Sequence, residues 1–469
     1  MADLGVNRSA APYGRIEVDR SGSIRSAILK VRWQVIVIAF LLAFWEGFPF
    51  SIMGFRMVFG YQLFAAIAFG GAIVFAGQVL QQKRRFTFWE ILPVALVVWS
   101  ILVSFNYSVL IEPQPVSGWL PAIYSVSPLL MILTLRVIEA DREDAENALY
   151  LMGVLGTVLI LIDMASGIGF MEIYARGSAF TDGKIVIFKF PAIFALPIAA
   201  MRLVHATRAK DAIFHLCGIS LLFIGVVVLS ETRLGMAAIA LALVPIYVLC
   251  VRRSRKVFFA AISPLALAPI LWFIVTRYFA NFQSLDSYLH SDTSANFREI
   301  EVGLFEQAFA KTHGMGFGFM SGDRQYDNVI NFLQYQAGYY VGTGDYGAGL
   351  VDIGLYAALY QYGYIGLALT LLMTAIVGFT LIRSRKMGPL YAGAAGCGVL
   401  VFTFLPSPIP LNLITIIATS HVGAVLWFMA AESSADYRVW RANRRARYDR
   451  SLEPNADIGP RDDSQSYAR

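Results

Sequence analysis

The stretch MVFGYQLFAAIAFGGAIVFAGQVL occupies residues 57–80 and contains no charged side chain. A helix needs about 20 consecutive apolar residues to cross the hydrocarbon core of a bilayer, so this stretch predicts a transmembrane helix. Further apolar runs lie on both sides of it. Together they predict twelve spans, at residues 34–52, 57–80, 88–110, 119–136, 146–166, 186–203, 211–230, 234–251, 257–278, 354–382, 389–406 and 411–431.

The composition of the whole chain agrees with this pattern. Of 469 residues, 57% are hydrophobic and 15% are charged, and the mean hydropathy is +0.60. A soluble protein carries about 25% charged residues. These values exclude a soluble enzyme, a secreted disulfide scaffold and a disordered protein, and they favour one all-α polytopic membrane domain. Cys217, Cys250 and Cys397 all lie in apolar runs and are interpreted as packing residues.

The distribution of lysine and arginine predicts the orientation of the chain. If the N-terminus lies in the cytoplasm, 29 of the 38 basic residues fall in segments assigned to the cytoplasm. The positive-inside rule therefore favours cytoplasmic N- and C-termini. The basic residues assigned to the cytoplasmic side face the anionic inner leaflet of the membrane. This role accounts for the sequence pI of about 9.1, so a nucleic-acid partner is not needed to explain it.

The predicted organisation has three parts. Residues 1–33 form a cytoplasmic N-terminal tail, residues 34–431 form the transmembrane domain, and residues 432–469 form a cytoplasmic C-terminal tail. Both tails are expected to be at least partly disordered, because they are polar or rich in arginine. Within the domain, a loop at residues 280–352 is far longer than the others and faces outward. Loops of that length without a role are uncommon.

This outer loop combines aromatic, glycine and acidic residues, among them Tyr339, Tyr340, Asp345 and Asp352. Aromatic rings stack on the C–H faces of sugars, and carboxylates hydrogen-bond to sugar hydroxyl groups. The composition is therefore that of a sugar site. The alternative is an ordinary structured cap with an aromatic belt at the membrane interface.

Cations on the predicted outer side are the second indication of a site. They are Arg176, Lys184, Arg233, Arg298, Lys311 and Arg324, with Lys189 just inside a predicted span. Such a cluster suits a lipid-linked phosphate or diphosphate, which arginine can bind through two hydrogen bonds. Pairing with Glu231, Glu301 or Asp182, or contact with lipid headgroups, is the alternative.

The other chemical signals are weaker. His290 and His313 are the histidines predicted to lie outside, and either could act as a general base. The sequence contains no phosphate-binding GxxxxGK[ST] loop and no HExxH motif, so neither an ATPase nor a zinc site is predicted. No cofactor or metal is expected. The glycines Gly314, Gly316 and Gly318 are interpreted as a turn, because they do not follow a strand.

Four local patterns, in order along the chain, resemble the bacterial O-antigen ligase and polysaccharide polymerase superfamily over about residues 170–382. They are Arg176-Gly177-Ser178-Ala179-Phe180 before a span, Ser230-Glu231-Thr232-Arg233-Leu234-Gly235, Arg298 followed by Gly314, Gly316 and Gly318, and Asp352-Ile353-Gly354-Leu355 followed by Tyr362-Gly363-Tyr364-Ile365-Gly366. The glycine stretch lacks the family's proline. The ligases carry a histidine in the large loop where this chain offers Asp345 or Asp352, which favours a polymerase.

The resemblance implies a C-type glycosyltransferase fold with a metal-independent site at the periplasmic face of the bacterial inner membrane. The donor and the acceptor would be polyprenyl-diphosphate-linked glycans, of the undecaprenyl diphosphate type, and partners could include chain-length regulator and flippase proteins. The implied catalytic residues are Arg233, Arg176, Asp352, Asp345 and His313. The implied substrate-binding residues are Lys184, Lys189, Arg298, Glu231, Arg324, Tyr339 and Tyr340.

The resulting hypothesis is a polymerase that joins lipid-linked repeat units during exopolysaccharide or O-antigen synthesis. One alternative within the superfamily is a ligase that transfers the glycan to a lipid core or a protein. A second alternative is a polysaccharide transporter or flippase, which twelve spans would suit. Transporters usually show internal repeats and a site at the bilayer midplane, and the sequence shows neither.

Overall fold

The computed structural model describes residues 32–45, 58–111, 113–166, 189–206, 208–225, 305–306, 309–319, 355–384 and 421–452. Within these ranges the secondary structure is helical and contains no strand. The α-helices are α1 (Trp33–Trp45), α2 (Val58–Leu80), α3 (Phe88–Phe105), α4 (Val116–Trp119), α5 (Met131–Val137), α6 (Arg142–Ser166), α7 (Lys189–His205), α8 (Ala209–Phe223), α9 (Leu355–Ser384) and α10 (His421–Leu452). A π-helix, Asn106–Ile111, extends α3, and a 3₁₀ helix, Leu120–Leu130, joins α4 to α5.

Four of the described helices are long and apolar enough to cross a membrane: Phe59–Leu80, Phe88–Ile111, Arg142–Ile162 and Ala358–Leu381. The prediction of an α-helical membrane protein is confirmed at this level. Several predicted spans correspond to shorter apolar helices, such as Trp33–Phe44 and Val422–Ala435. The predicted spans at 234–251, 257–278 and 389–406, and most of the loop at 280–352, lie outside the described residues, so the count of twelve stays a prediction.

Two boundaries differ from the sequence-based expectation. The span predicted at 119–136 is a 3₁₀ helix followed by the seven-residue α5. Pro128 lies inside this element, and proline supplies no N–H for an α-helical hydrogen bond. The last helix does not end at residue 431 but continues to Leu452, through part of the tail that was expected to be at least partly disordered.

The apolar half of α10 is the centre of the bundle. Residues 422–431 are buried, and this segment packs against α1, α3, α5, α6 and α9. Trp427 donates its indole N–H to the carbonyl of Trp89 at 2.7 Å, and the two rings lie 4.9 Å apart. The helix at the edge, α2, leaves large side chains such as Ile73 exposed, as expected of a surface that faces lipid.

Ion pairs group one end of these helices on a common face, called here the ion-paired end. Arg136 at the end of α5 pairs with Glu90 of α3 at 3.0 Å and with Glu432 of α10, and its guanidinium lies 5.4 Å from the centre of the Phe428 ring. Arg32, before α1, pairs with Asp141 and Asp144 at the start of α6. These contacts join helix ends that the charge pattern assigned to one side of the membrane.

A second buried cluster extends the same face to α7. Arg202 donates to the side-chain carbonyl of Asn147 at 2.7 Å and lies 3.8 Å from Glu146, which also pairs with Arg142 at 3.4 Å. The end of α7 therefore lies beside the start of α6. The positive-inside rule assigns this face to the cytoplasm, and that assignment remains a prediction.

Candidate functional site at the break in α9

Helix α9 is interrupted within its membrane-spanning part. Gly363 has φ 69° and ψ −174°, so the helical hydrogen-bond ladder stops there and resumes after it. A break of this kind leaves carbonyl groups without helical partners. In the hydrocarbon region each such group needs a partner from elsewhere in the protein. The chain supplies these partners from two other segments.

The first segment is residues 312–319, called here the glycine strap. The backbone N–H of Phe317 donates to the carbonyl of Tyr360 at 3.0 Å, and that of Gly318 donates to the carbonyl of Gln361 at 2.7 Å. In return, the N–H of Tyr364 donates to the carbonyl of Gly314 at 3.2 Å. The strap thus pairs with α9 on both sides of the break.

The second segment is the C-terminal half of α3. Trp99 donates its indole N–H to the carbonyl of Tyr362 at 2.7 Å, and the hydroxyl of Ser104 donates to the carbonyl of Phe319. Three consecutive carbonyls of α9, at residues 360–362, therefore accept hydrogen bonds from outside that helix. Trp99 lies nine residues beyond Glu90, or about 14 Å along α3 from the ion-paired end.

Glycine is required where the strap meets the break. Gly316 has φ +88°, and a Cβ atom there would lie 2.5 Å from the backbone nitrogen of Gly363. A Cβ atom on Gly363 would collide with the carbonyl oxygen of Met315. A Cβ atom on Gly318 would lie 2.6 Å from the Cα atom of Ser104. At these three positions the two backbone segments approach each other too closely to leave room for a side chain.

Aromatic side chains pack around this joint. Phe309 contacts Tyr360 and Tyr364, with ring centres 5.4 and 5.6 Å apart. Phe317, which is buried, contacts both Phe305 and Tyr107 at 5.8 Å. Ring pairs at these separations stabilise their contact beyond the apolar area that they bury. The joint is therefore held by packing as well as by hydrogen bonds.

His313 is the predicted catalytic residue whose side chain the structure describes. It lies at the start of the glycine strap with φ 52°, and its side chain is exposed. Thr312, beside it, donates to the carbonyl of Phe309 at 2.7 Å and accepts from the N–H of Gly316 at 3.1 Å. These bonds close the turn that presents His313, and the three positive-φ glycines confirm the predicted turn.

The other predicted site residues are placed only in part. Lys189 is the first residue of α7, and its side chain is outside the description. Arg176, Lys184, Glu231, Arg233, Arg298, Arg324, Tyr339, Tyr340, Asp345 and Asp352 all lie outside the described residues. The structure thus brings together Gly314–Gly318 and Tyr362–Gly366, which belong to the third and fourth sequence patterns. The first two patterns stay untested.

Sequence reasoning missed three residues that hold the joint, Trp99, Ser104 and Thr312. The available signal was weak, because a tryptophan and a serine inside an apolar helix are common packing residues. Only the contact with the broken segment of α9 shows that these residues hold the joint. Within the described ranges, no three His, Cys, Asp or Glu side chains are grouped as metal ligands would be.

Comparison with known proteins adds no assignment. No protein-family model matches the chain, and no curated protein matches it significantly.

Proposed function

We propose that this protein is a membrane glycosyltransferase that polymerises polyprenyl-diphosphate-linked oligosaccharide repeat units at the outer face of the bacterial inner membrane. The observation that carries the proposal is the insertion of the glycine strap into the break of α9. The strap and the break are distant in sequence, yet both belong to the patterns that resemble the ligase and polymerase superfamily. Contact between the two segments is what a common site requires.

The reaction needs two kinds of group. The acceptor hydroxyl oxygen bonds to the anomeric carbon of the donor while the bond from that carbon to the diphosphate oxygen breaks. The hydroxyl proton passes to a base, and the electron pair leaves with the polyprenyl diphosphate. Cations such as Arg176 and Arg233 would stabilise the leaving diphosphate. His313, Asp345, Asp352 and Glu231 are the candidate bases.

The position of His313 supports its assignment among these bases. The backbone on its C-terminal side lies against Tyr364, because a Cβ atom on Gly314 would be 2.7 Å from the ring of that tyrosine. The turn therefore holds an exposed imidazole beside the break, towards the end of α3 that lies away from the ion pairs. If the ion-paired end is cytoplasmic, His313 faces the side on which lipid-linked glycans are polymerised.

Broken membrane helices are also a feature of transporters, where the freed carbonyls coordinate ions. Here the carbonyls of Tyr360, Gln361 and Tyr362 already accept hydrogen bonds from protein donors. This arrangement favours a fixed scaffold over an ion site. A ligase would use the same scaffold. The reaction product is what distinguishes a ligase from a polymerase.

The test uses a deletion strain complemented with the wild-type protein, Arg233→Ala or Arg176→Ala. Lipid-linked glycans are extracted and separated by size, and the membrane level of each variant is measured. We expect single repeat units to accumulate in the deletion and in both variants. Accumulation of long lipid-linked chains would instead identify a ligase. Unchanged glycans in the deletion strain would contradict both activities and leave the transporter alternative.

A further inference from the structure

Three tyrosines of α9 form a row beside the break. Tyr356 and Tyr360 stack with their ring centres 5.8 Å apart and their planes inclined by 29°. Phe309 contacts both Tyr360 and Tyr364, which places the third ring on the same side of the helix. Tyr360 is buried, whereas Tyr356 and Tyr364 are 40% and 64% exposed. This tyrosine row therefore presents two accessible rings with a buried ring between them.

The buried side of the tyrosine row is held by two phenylalanines. Phe305 contacts Tyr360 with ring centres 6.5 Å apart, and both Phe305 and Phe309 are themselves buried. Rings that are already held in place lose little side-chain freedom when a ligand binds to them. The two exposed rings are thus prepared for stacking against a ligand.

Two polar side chains lie beside the tyrosine row. Glu306 is exposed, and it lies close enough to Tyr360 for its charge to act on the phenol. His313 is also exposed and precedes Gly314. A Cβ atom on Gly314 would lie 2.7 Å from the ring of Tyr364. The exposed rings therefore have a carboxylate and an imidazole near them, and both groups can form hydrogen bonds.

Helix α3 shows at which level of the membrane this surface lies. Phe305, which precedes Glu306, contacts Phe317, and Phe317 contacts Tyr107. Tyr107 lies four residues before the end of the span Phe88–Ile111, at the end opposite to the ion-paired end. Ionised side chains at membrane depth face protein or a water-filled cavity rather than lipid tails. The exposed carboxylate therefore indicates that this surface faces water.

The glycine strap supports the same conclusion at a deeper level. Irregular backbone occurs at membrane depth only where it is buried in protein or lines a water-filled cavity. The exposed side of the strap, at His313, therefore lines such a cavity. Tyr364 lies two residues beyond Tyr362, which binds Trp99, and Trp99 is 12 residues or about 18 Å from the end of the α3 span. A lipid headgroup at the interface does not reach that depth.

Accessible aromatic rings beside a carboxylate in water are the chemistry that binds sugars. The C–H face of a sugar ring stacks on an aromatic ring, and a carboxylate accepts hydrogen bonds from sugar hydroxyl groups. We propose that Tyr356, Tyr364 and Glu306 form a subsite that binds sugar rings of the substrate glycan next to His313. The identity of that glycan rests on the proposed function. The subsite adds three residues to the substrate-binding residues predicted from the sequence.

Direct binding to the full-length protein in nanodiscs tests the subsite. The probes are oligosaccharides of one repeat unit, obtained by mild acid hydrolysis of the strain's own surface polysaccharide, and their affinity is measured by titration calorimetry. Tyr364→Ala is compared with Phe379→Ala, because Phe379 lies on the same helix and is 63% exposed. We expect Tyr364→Ala to weaken binding about 10-fold or more and Phe379→Ala less than about 2-fold, since only the first removes a contact residue.

Two further variants separate the contributions of the ring and the carboxylate. Tyr364→Phe keeps the ring and should bind almost as well as the wild-type protein. Glu306→Gln keeps the size of the side chain but replaces a charged acceptor with a neutral one. It should weaken binding roughly 5-fold, because hydrogen bonds to an ionised group are about twice as strong. Unfolding temperatures measured in parallel show that each variant is folded.

The outcomes for the subsite and for the proposed function are distinguishable. Equal affinities of Tyr364→Ala and Phe379→Ala would overturn the subsite, and so would a wild-type protein that binds none of the oligosaccharides. Either result would leave the polymerase in place if the deletion strain still accumulates single repeat units. Binding that depends on Tyr364, together with unchanged glycans in the deletion strain, would support the subsite and contradict the polymerase.

Discussion

Trp99 of α3 donates its indole N–H to the backbone carbonyl of Tyr362 in α9, at 2.7 Å. The carbonyl is available because α9 is broken at the next residue, Gly363. The hydrogen bond therefore links the break to a continuous transmembrane helix. Together with the glycine strap, it holds irregular backbone inside the apolar part of the bundle.

Trp99→Phe should destabilise the joint. The variant keeps an aromatic ring but removes the donor, which leaves a buried carbonyl without its partner. The expected loss is about 1–3 kcal/mol of unfolding free energy. Thermal unfolding in detergent and the rate of proteolysis at the strap measure this effect.

Tyr362→Phe is the matched control for Trp99→Phe. The phenol oxygen of Tyr362 is buried and has no hydrogen-bond partner in the described part of the chain. Removing it should leave stability unchanged or raise it slightly, since no bond is lost. If both variants were equally destabilised, ring packing rather than the indole N–H would be what holds the break.

Gly316→Ala should disrupt the strap. Alanine at φ +88° costs about 1–2 kcal/mol, and the added methyl group would press on the backbone of Gly363. Overpacking of this kind costs about a further 1–3 kcal/mol. We expect a lower unfolding temperature and loss of polymer in the complemented deletion strain.

Gly70→Ala provides the contrast for the strap glycine. This glycine lies within α2, and a Cβ atom there meets nothing within 4 Å. Alanine should stabilise the helix by up to about 1 kcal/mol. A comparable loss in both glycine variants would mean that the strap contact has no special role.

Arg136→Ala should be the most destabilising change at the ion-paired end. It removes the ion-pair partner of Glu90, whose side chain is 3% exposed, but Arg136 itself is 21% exposed and Glu90 keeps its hydrogen bonds from Thr87. The expected cost is therefore below the roughly 3–5 kcal/mol of a fully buried pair. Arg84→Ala removes a pair with Glu139, which is 80% exposed, and should cost less than about 1 kcal/mol. The double variant Arg136→Met with Glu90→Met should recover part of the loss. Equal effects of the two single variants in thermal unfolding would contradict the assignment of Arg136 as the anchor.

The variant His313→Asn tests whether His313 acts as a catalytic base or only shapes the turn. Asparagine tolerates the positive φ of this position, so the turn should persist. If His313 is the base, polymerisation should fall by a factor of about 10²–10⁴ with normal membrane levels, and single repeat units should accumulate. Retained activity in both His313→Asn and His313→Gly would remove His313 from the mechanism and leave the loop carboxylates as candidates.

The sequence by itself determined the features that depend on local composition. The long apolar helices α2 and α3 begin and end close to the predicted residues, because a bilayer requires about 20 apolar residues and the flanking charges cannot enter it. The glycine turn at Gly314–Gly318 was also predictable, since few other residues adopt a positive φ. The grouping of Arg32, Arg136 and Arg202 on one face followed from the alternation of charge along the chain.

Only the tertiary structure decided the break in α9 and the extent of α10. Residues 354–382 are predicted as one apolar span, and nothing local to Gly363 specifies a break. The break exists because donors from the strap and from Trp99 satisfy the freed carbonyls. The helix continues beyond the predicted end of the last span at residue 431 for a different reason. Backbone hydrogen bonds continue a helix whether its side chains are apolar or charged, and arginine and alanine are good helix formers. The hydrophobicity of a sequence predicts which part of a helix is buried. Only the backbone hydrogen bonds in the folded structure decide at which residue the helix ends.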